Sequence, residues 1–178
     1  MSNDQLLDAG DFGNWLGEIG SALRGDSNSD VPCGGCTACC TSSQYIHVGP
    51  EEVETLAHIP AALLFAAPNL PQGHLLMGFN QHGHCPMLID NRCSIYDHRP
   101  RTCRTYDCRV FTASGLEPDD ERKVLTTERV RRWRFSYADD AARAEHAEVV
   151  EAAASISKTQ ATQRAVRAVE VVLGRRKS

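Results

Sequence analysis

Cys33-Gly-Gly-Cys36-Thr-Ala-Cys39-Cys40 places four thiols within eight residues, a C-x2-C-x2-C-C array. Short glycine-containing loops can fold thiolates and amide donors round one centre, so this stretch predicts a domain organised by cysteine ligation. The remaining cysteines are Cys85, Cys93, Cys103 and Cys108, and all eight therefore lie between residues 33 and 108. Adjacent Cys39 and Cys40 are awkward ligands for a single ion, because neighbouring side chains diverge. They suit two centres, or one of them is a core or reactive thiol.

Two metal chemistries compete for these thiols. Structural zinc takes four tetrahedral ligands, so eight thiolates can close two all-cysteine sites, or one site with cysteines to spare. Cys33, Cys36 and Cys39 also have the opening spacing of a bacterial ferredoxin run, and Cys85 is followed by Pro86, which points to iron, including a [4Fe-4S] cluster. Four thiolates outweigh a divalent ion by about two charges, so cations are expected nearby. Arg92, Arg99, Arg101, Arg104 and Arg109 stand against Asp90, Asp97 and Asp107 in this region. Cys103 falls in the first turns of a helix opening at Pro100, and both features predict a thiolate there.

The 178 residues suit one domain with a helical appendage, and 42% hydrophobic with 24% charged residues is ordinary for a globular protein. The N-terminal Met-Ser-Asn-Asp-Gln-Leu-Leu-Asp lacks a basic start and an apolar stretch, which predicts a cytoplasmic protein. In that reducing compartment, clustered thiols are metal ligands or redox centres rather than structural disulfides. The longest apolar run, Ile59 to Pro68, is short of the ~20 residues that span a bilayer, so no membrane partner is expected. A net charge of −4 argues against broad nucleic-acid binding.

Residues 1–30 read as a flexible tail with a short docking helix around Phe12, Trp15, Leu16 and Ile19, ending in the linker Asp26-Ser-Asn-Ser-Asp30. Residues 31–112 read as the cysteine-cluster domain. In it, Gln44–Val48 is a strand, and Gly49-Pro50-Glu51-Glu52 opens a helix with carboxylates at its positive end. Pro60, Pro68 and Pro71 confine the next stretch to a second short helix and a loop, and Leu75–Phe79 is a strand. Met87–Ile89, the turn Asp90-Asn91, and Cys93 with Ile95 form a hairpin. Residues 113–178 read as a helical extension, with one helix near 118–136 and a long alanine-rich one from about 139 to 173. The fold class is α+β: a small cysteine-rich core of short hairpin strands and helices, followed by a helical segment.

Outside the cysteines, His82 and His84 in Gln81-His-Gly-His-Cys85 are candidate nitrogen ligands, though loop histidines are more often exposed. His47, His58, His74 and His98 are scattered and read as structural or solvated. Tyr96 and Tyr106 flank Cys103 and read as core rings with one satisfied hydroxyl. Arg129-Val-Arg-Arg-Trp-Arg-Phe135 would suit nucleic acid or an acidic protein, but on a helix it reads as a solvated face beside a Trp133 and Phe135 anchor. Val166, Val169 and Val172 mark a packing face in the last helix, for its own domain or for a protein partner such as a second copy. No G-x-G-x-x-G fingerprint and no zincin histidine pair is present.

Taken in order, C-x2-C-x2-C-C, Gly83-His-Cys85-Pro-Met-Leu, Cys93-Ser-Ile-Tyr96 and Arg99-Pro-x-x-Cys103-Arg104 resemble the YkgJ-like cysteine-cluster family, described as a zinc- or iron-chelating domain. The resemblance covers roughly residues 31 to 110. It implies that Cys33, Cys36, Cys39, Cys40, Cys85, Cys93 and Cys103 are metal-cluster positions, with Cys108 the least secure of the eight. A similar module occurs in the flagellin lysine N-methylases, which raises an iron–sulfur enzyme in redox or methyl-transfer chemistry as an alternative. A zinc-ribbon-like adaptor is the third reading.

Overall fold

The computed structural model describes residues 5–29, 31, 35–157 and 159–176. It divides into two compact units: Met1–Pro32 with Asp107–Ser178, and Cys33–Tyr106. The expected boundary at 112 thus moves to 106, and the N-terminal stretch is part of a folded unit instead of a loose tail. The mixed α+β class stands, with 49% helix and 13% strand.

In the first unit, β1 (Leu7–Asp11) leads into α1 (Phe12–Arg24). Asp11 is the N-cap, its carboxylate accepting from the Asn14 amide at 3.0 Å, and Gly25 closes the helix at φ +86°. β1 pairs in parallel with a strand far along the chain, Leu7 opposite Trp133 and Asp8 opposite Arg134. Phe12, Trp15, Leu16 and Ile19, the expected docking cluster, are all buried. Each such side chain contributes roughly 1.5–3 kcal/mol through burial, which is what orders this stretch.

Three helices complete the core of this unit: α4 (Arg109–Ser114), α6 (Asp140–Ser155) and α7 (Ala161–Arg175). The expected helix from 139 to 173 is therefore two helices. Ser155-Ile156-Ser157 and Thr159 are poor helix formers, and separate caps serve the two pieces. Asp139 accepts from Ala142 at the start of α6, and Asp119 accepts from the Ala161 amide at the start of α7, each at 2.8 Å. Val169 and Val172 are buried where α7 packs on α4 and α6, so this valine face serves its own unit. A second correction concerns α5 (Val124–Arg132), which stops at Trp133, where β7 (Trp133–Ser136) begins. The arginine–aromatic run is thus a helix end joined to a strand.

In the second unit, β2 (Ile46–Val48), β3 (Leu64–Ala66) and β4 (Leu75–Met77) form an antiparallel sheet in the order β2-β4-β3. Ile46 faces Met77 across one pair and Leu64 faces Met77 across the other. α2 (Val53–His58) starts after the predicted Pro50, and the expected second short helix is a single turn at Ala61–Leu63 running into β3. The hairpin β5 (Leu88–Ile89) and β6 (Arg92–Cys93) turns through Asp90 and Asn91, both at positive φ. That is the type I′ geometry that Asx residues tolerate. α3 (Arg101–Thr105) follows Pro100 as expected. Ile46, Val48, Ile59, Met77, Met87 and Ile95 form the core, and Cys85, Cys93 and Cys103 pack against it.

Candidate metal centre

The first cysteine loop is tied to the Cys85 segment by its backbone. The Cys85 amide donates to the Cys40 carbonyl at 2.7 Å, and the Ser43 amide donates to the Gly83 carbonyl at 2.9 Å. Gly83 is required here: its φ is +76°, and a Cβ would run into the Ser43 hydroxyl. Cys39 and Cys40 lie on one tight turn, Cys39–Thr41, fixed by the Thr41 hydroxyl on the Thr37 carbonyl and the Ser42 hydroxyl on the Cys39 carbonyl.

Cys85-Pro86-Met87-Leu88 forms a turn closed by the Leu88 amide on the Cys85 carbonyl at 3.0 Å. Burial pushes the Cys85 thiol up, backbone amides at Met87 and Leu88 bonded to its sulfur pull it down, and Cys93 pushes it up again. Amide donors aimed at a sulfur are what a thiolate ligand needs to spread its charge. The hairpin brings Cys93 opposite Leu88. Cys103 rides on α3, its amide bonded to the Pro100 carbonyl at 2.8 Å.

The Cys103 thiol is pushed up to about 12, first by burial and then by the charges of Cys85, Cys40 and Cys93, with Arg99 pulling the other way. Burial and the neighbouring thiols thus act against the thiolate expected from the helix end and the arginines. Desolvation and like-charge repulsion exceed both. A bound cation reverses this balance, since metal binding requires and rewards deprotonation. The donor set fits zinc or iron in its chemistry: Cys103 with three thiols whose charges act on it, Cys85, Cys40 and Cys93, beside an apolar core, with amide donors at Cys85. Among the described residues no group of three or more His, Cys, Asp or Glu side chains is placed to hold a metal ion, and Cys33 lies outside those residues.

Cys36 and Cys39 are half-buried in the loop leading to Cys40, and no disulfide joins the seven described cysteines to one another. Cys108 belongs to the first unit. It is 5% exposed in that unit's core, where the Trp133 indole N–H donates to its sulfur at 3.3 Å. Spacing alone could not separate it from the others.

The arginines near the thiols have distinct assignments. Arg109 is buried in the first unit against Asp107 at 2.8 Å. Arg104 pairs with Glu52 at 3.7 Å, and Arg92 and Arg101 have exposed side chains. Arg99 lies over the Tyr96 ring, 3.6 Å from its centroid. Tyr96 is thus a half-exposed platform for a cation instead of a core ring.

Glu52, which sequence reasoning read only as a helix-start carboxylate, links two elements. It accepts from the Gly49 amide at 2.8 Å and from the Arg101 amide, the first of α3. Its partner across 49 residues is visible only in the fold. The Thr102 hydroxyl adds a bond to the His47 carbonyl at 2.9 Å, so α3 is held to β2 and to the start of α2.

His82 is exposed, and the amides of His82 and His84 bond the Asn80 side chain. The scattered histidines form pairs: His47 Nε2 lies 2.9 Å from His74 Nδ1, and His58 stacks on His98 at 3.7 Å. Strand register creates the first pair. In the arginine run, Arg131 pairs with Glu117 at 2.7 Å, Arg132 bonds the Gln5 carbonyl at 2.8 Å, and Arg129 lies over Trp133.

No helix among the described residues is long and apolar enough to cross a membrane. No curated protein and no solved structure matches the chain. One family model does, over residues 32–132, spanning the whole cysteine unit and continuing through α5. Its description is a "putative zinc- or iron-chelating domain", it covers more than half of the sequence, and the chain belongs to this CxxCxxCC family.

Proposed function

We propose that this chain binds zinc or iron through a thiolate centre built from Cys40, Cys85, Cys93 and Cys103, with Cys33, Cys36 and Cys39 as further donors from the first loop. The observation that carries this reading is that Cys85, Cys93 and Cys103 pack against one core, the first cysteine loop is tied to Cys85 by the Cys40 carbonyl, and the charges of Cys40, Cys85 and Cys93 all act on Cys103. Such thiols destabilise one another as anions and are stabilised together only by a cation. Cys108 serves the first unit's core and not the centre, because its sulfur already accepts the Trp133 indole proton.

The biological role that follows is to hold, sense or hand over the metal. A second reading is an iron–sulfur centre that carries electrons, favoured by seven cysteines in one unit where a single zinc needs four. Element analysis and visible absorption of anaerobically purified protein separate the two. Iron with sulfide and a brown colour marks a cluster, and colourless zinc marks a closed thiolate site. Protein that takes up neither metal would refute the proposal.

A further inference from the structure

Ile46 and Val48 of β2 and Met77 of β4 lie in the core against which Cys85, Cys93 and Cys103 pack. Side chains alternate along a strand, so His47 and its register partner Leu76 lie on the other face of the sheet. His74 stands two residues before Leu76 and shares that face as the diagonal neighbour of His47. Gly73, at φ +96°, closes the turn in which the His74 amide bonds the Pro71 carbonyl at 3.3 Å. Both histidines are pinned through their main chains: the Thr102 hydroxyl donates to the His47 carbonyl and the Ala67 amide to the His74 carbonyl, each at 2.9 Å. His47 Nε2 thereby comes to 2.9 Å from His74 Nδ1, and both residues are half-buried.

Metal–nitrogen bonds of about 2.0–2.1 Å set at a right angle hold two nitrogens about 2.9 Å apart, whereas a tetrahedral angle needs about 3.4 Å. The separation of His47 Nε2 and His74 Nδ1 matches neighbouring positions on a tetragonal ion, the geometry of nickel(II) and copper(II) with nitrogen and oxygen ligands. As a hydrogen-bonded pair, one ring donates its N–H to the other. No hydrogen bond among the described residues engages His47 Nδ1 or His74 Nε2, so the donating ring can carry its proton on its far nitrogen. A tilt of each ring then presents both facing lone pairs to one ion, with no net release of a proton. The pair His58 and His98 lacks this option, since rings stacked 3.7 Å apart and 8° from parallel keep their lone pairs in separate layers.

We propose that His47 and His74 form a second metal site, on the sheet face opposite the cysteines, that chelates a divalent late first-row ion of the nickel(II) or copper(II) class, with water completing its shell. The site stands on the imidazole geometry and does not require the thiolate centre.

The test is a nickel(II) titration of the reduced, nitrogen-15-labelled full-length chain, first loaded with zinc(II) and desalted so that the thiols are occupied. Paramagnetic broadening of the imidazole resonances reports where nickel sits. The His47 and His74 signals are expected to vanish first, with those of His58, His82 and His98 persisting. His74→Gln should raise the nickel concentration that broadens His47 at least about tenfold, because the second imidazole of a chelate binds at high effective concentration. His58→Gln should leave that concentration unchanged. Equal broadening of all exposed histidines would overturn the proposal, and so would a His74→Gln chain whose His47 signal responds like the parent's. Sulfur-to-nickel charge-transfer absorption with the His47 and His74 signals intact would refute it as well. If His74→Gln fails to fold by circular dichroism, the order of broadening in the parent decides alone. A chain that takes up no zinc yet broadens first at His47 and His74 would remove the thiolate centre and leave this site standing.

Discussion

The amide of Cys85 donates to the carbonyl of Cys40 at 2.7 Å, joining two cysteines 45 positions apart by main chain alone. That bond uses no side chain, so the two cysteine loops are held in register by main chain. In the proposed centre such register lowers the ordering entropy that ion binding must overcome, because closing loops between distant segments is part of the cost of forming a thiolate site. Burial and neighbouring thiols act against ionisation of Cys85 and Cys103, and the proposed ion would offset that opposition.

Serine substitutions should therefore divide the cysteines. Cys85→Ser and Cys103→Ser each remove a thiol from the coupled set and are expected to abolish most metal retention after gel filtration. Cys108→Ser should retain metal and weaken only the first unit, by about 1 kcal/mol for the changed indole contact. Full metal content in both Cys85→Ser and Cys103→Ser would place the centre elsewhere.

Glu52 should matter for stability more than its sequence context suggests. Its side chain is 7% exposed, and Glu52→Ala strips acceptors from the Gly49 and Arg101 amides and the partner from Arg104. Each orphaned donor costs about 1–3 kcal/mol when buried, while Glu52→Gln keeps an acceptor and should lose less. Denaturant midpoints of the two variants give the order. Equal midpoints for Glu52→Ala and the parent would show that α3 is held by other contacts.

What the sequence reveals about this molecule is mostly what is local. The Asp90-Asn91 hairpin, the helix after Pro100 and the C-x2-C-x2-C-C loop depend on neighbours a few residues apart, and their side-chain chemistry names them directly. The pairing of Leu7 with Trp133 and the bond from Glu52 to α3 depend on distant segments meeting, and no local pattern encodes them. Trp133 reads as helical because arginines surround it, but burial of the indole against Cys108 and pairing with β1 outweigh that propensity. For Cys103 the sequence shows the arginines and the helix start but not the burial, which sets the direction of its ionisation.

The buried pair at the opening of α4 predicts a large effect. Asp107 accepts from the Trp15 indole and the Ser29 hydroxyl, each at 2.9 Å, as well as from Arg109, whose other nitrogen reaches the Ala9 carbonyl at 3.1 Å. Asp107→Ala strands a buried guanidinium and two donors, and a loss of about 3–5 kcal/mol is expected. Replacing both partners by apolar residues should cost less than the single change. A calorimetric comparison that found the double variant less stable than Asp107→Ala would contradict this account.

His146 should make the first unit sensitive to acid. Its ring stacks on Phe12 with centroids 4.4 Å apart, and Nδ1 lies 2.7 Å from the Tyr137 hydroxyl. Burial holds its pKa below the ordinary histidine value, outweighing the backbone carbonyls of Thr112 and Ala113 that favour the charged ring. The folded state thus keeps the ring neutral at pH values where the unfolded chain has begun to take up a proton. At neutral and higher pH both states are neutral and the group contributes nothing to pH dependence. As pH falls below about 6.5, proton uptake by the unfolded state lowers stability, and the loss levels off once the folded ring also protonates. His146→Phe removes this term but leaves the carboxylates. The gap in urea midpoint between parent and variant should therefore shift in favour of the variant between about pH 8 and about pH 5. A gap that stays constant over that range would show that His146 takes up its proton equally readily in the folded and unfolded chains.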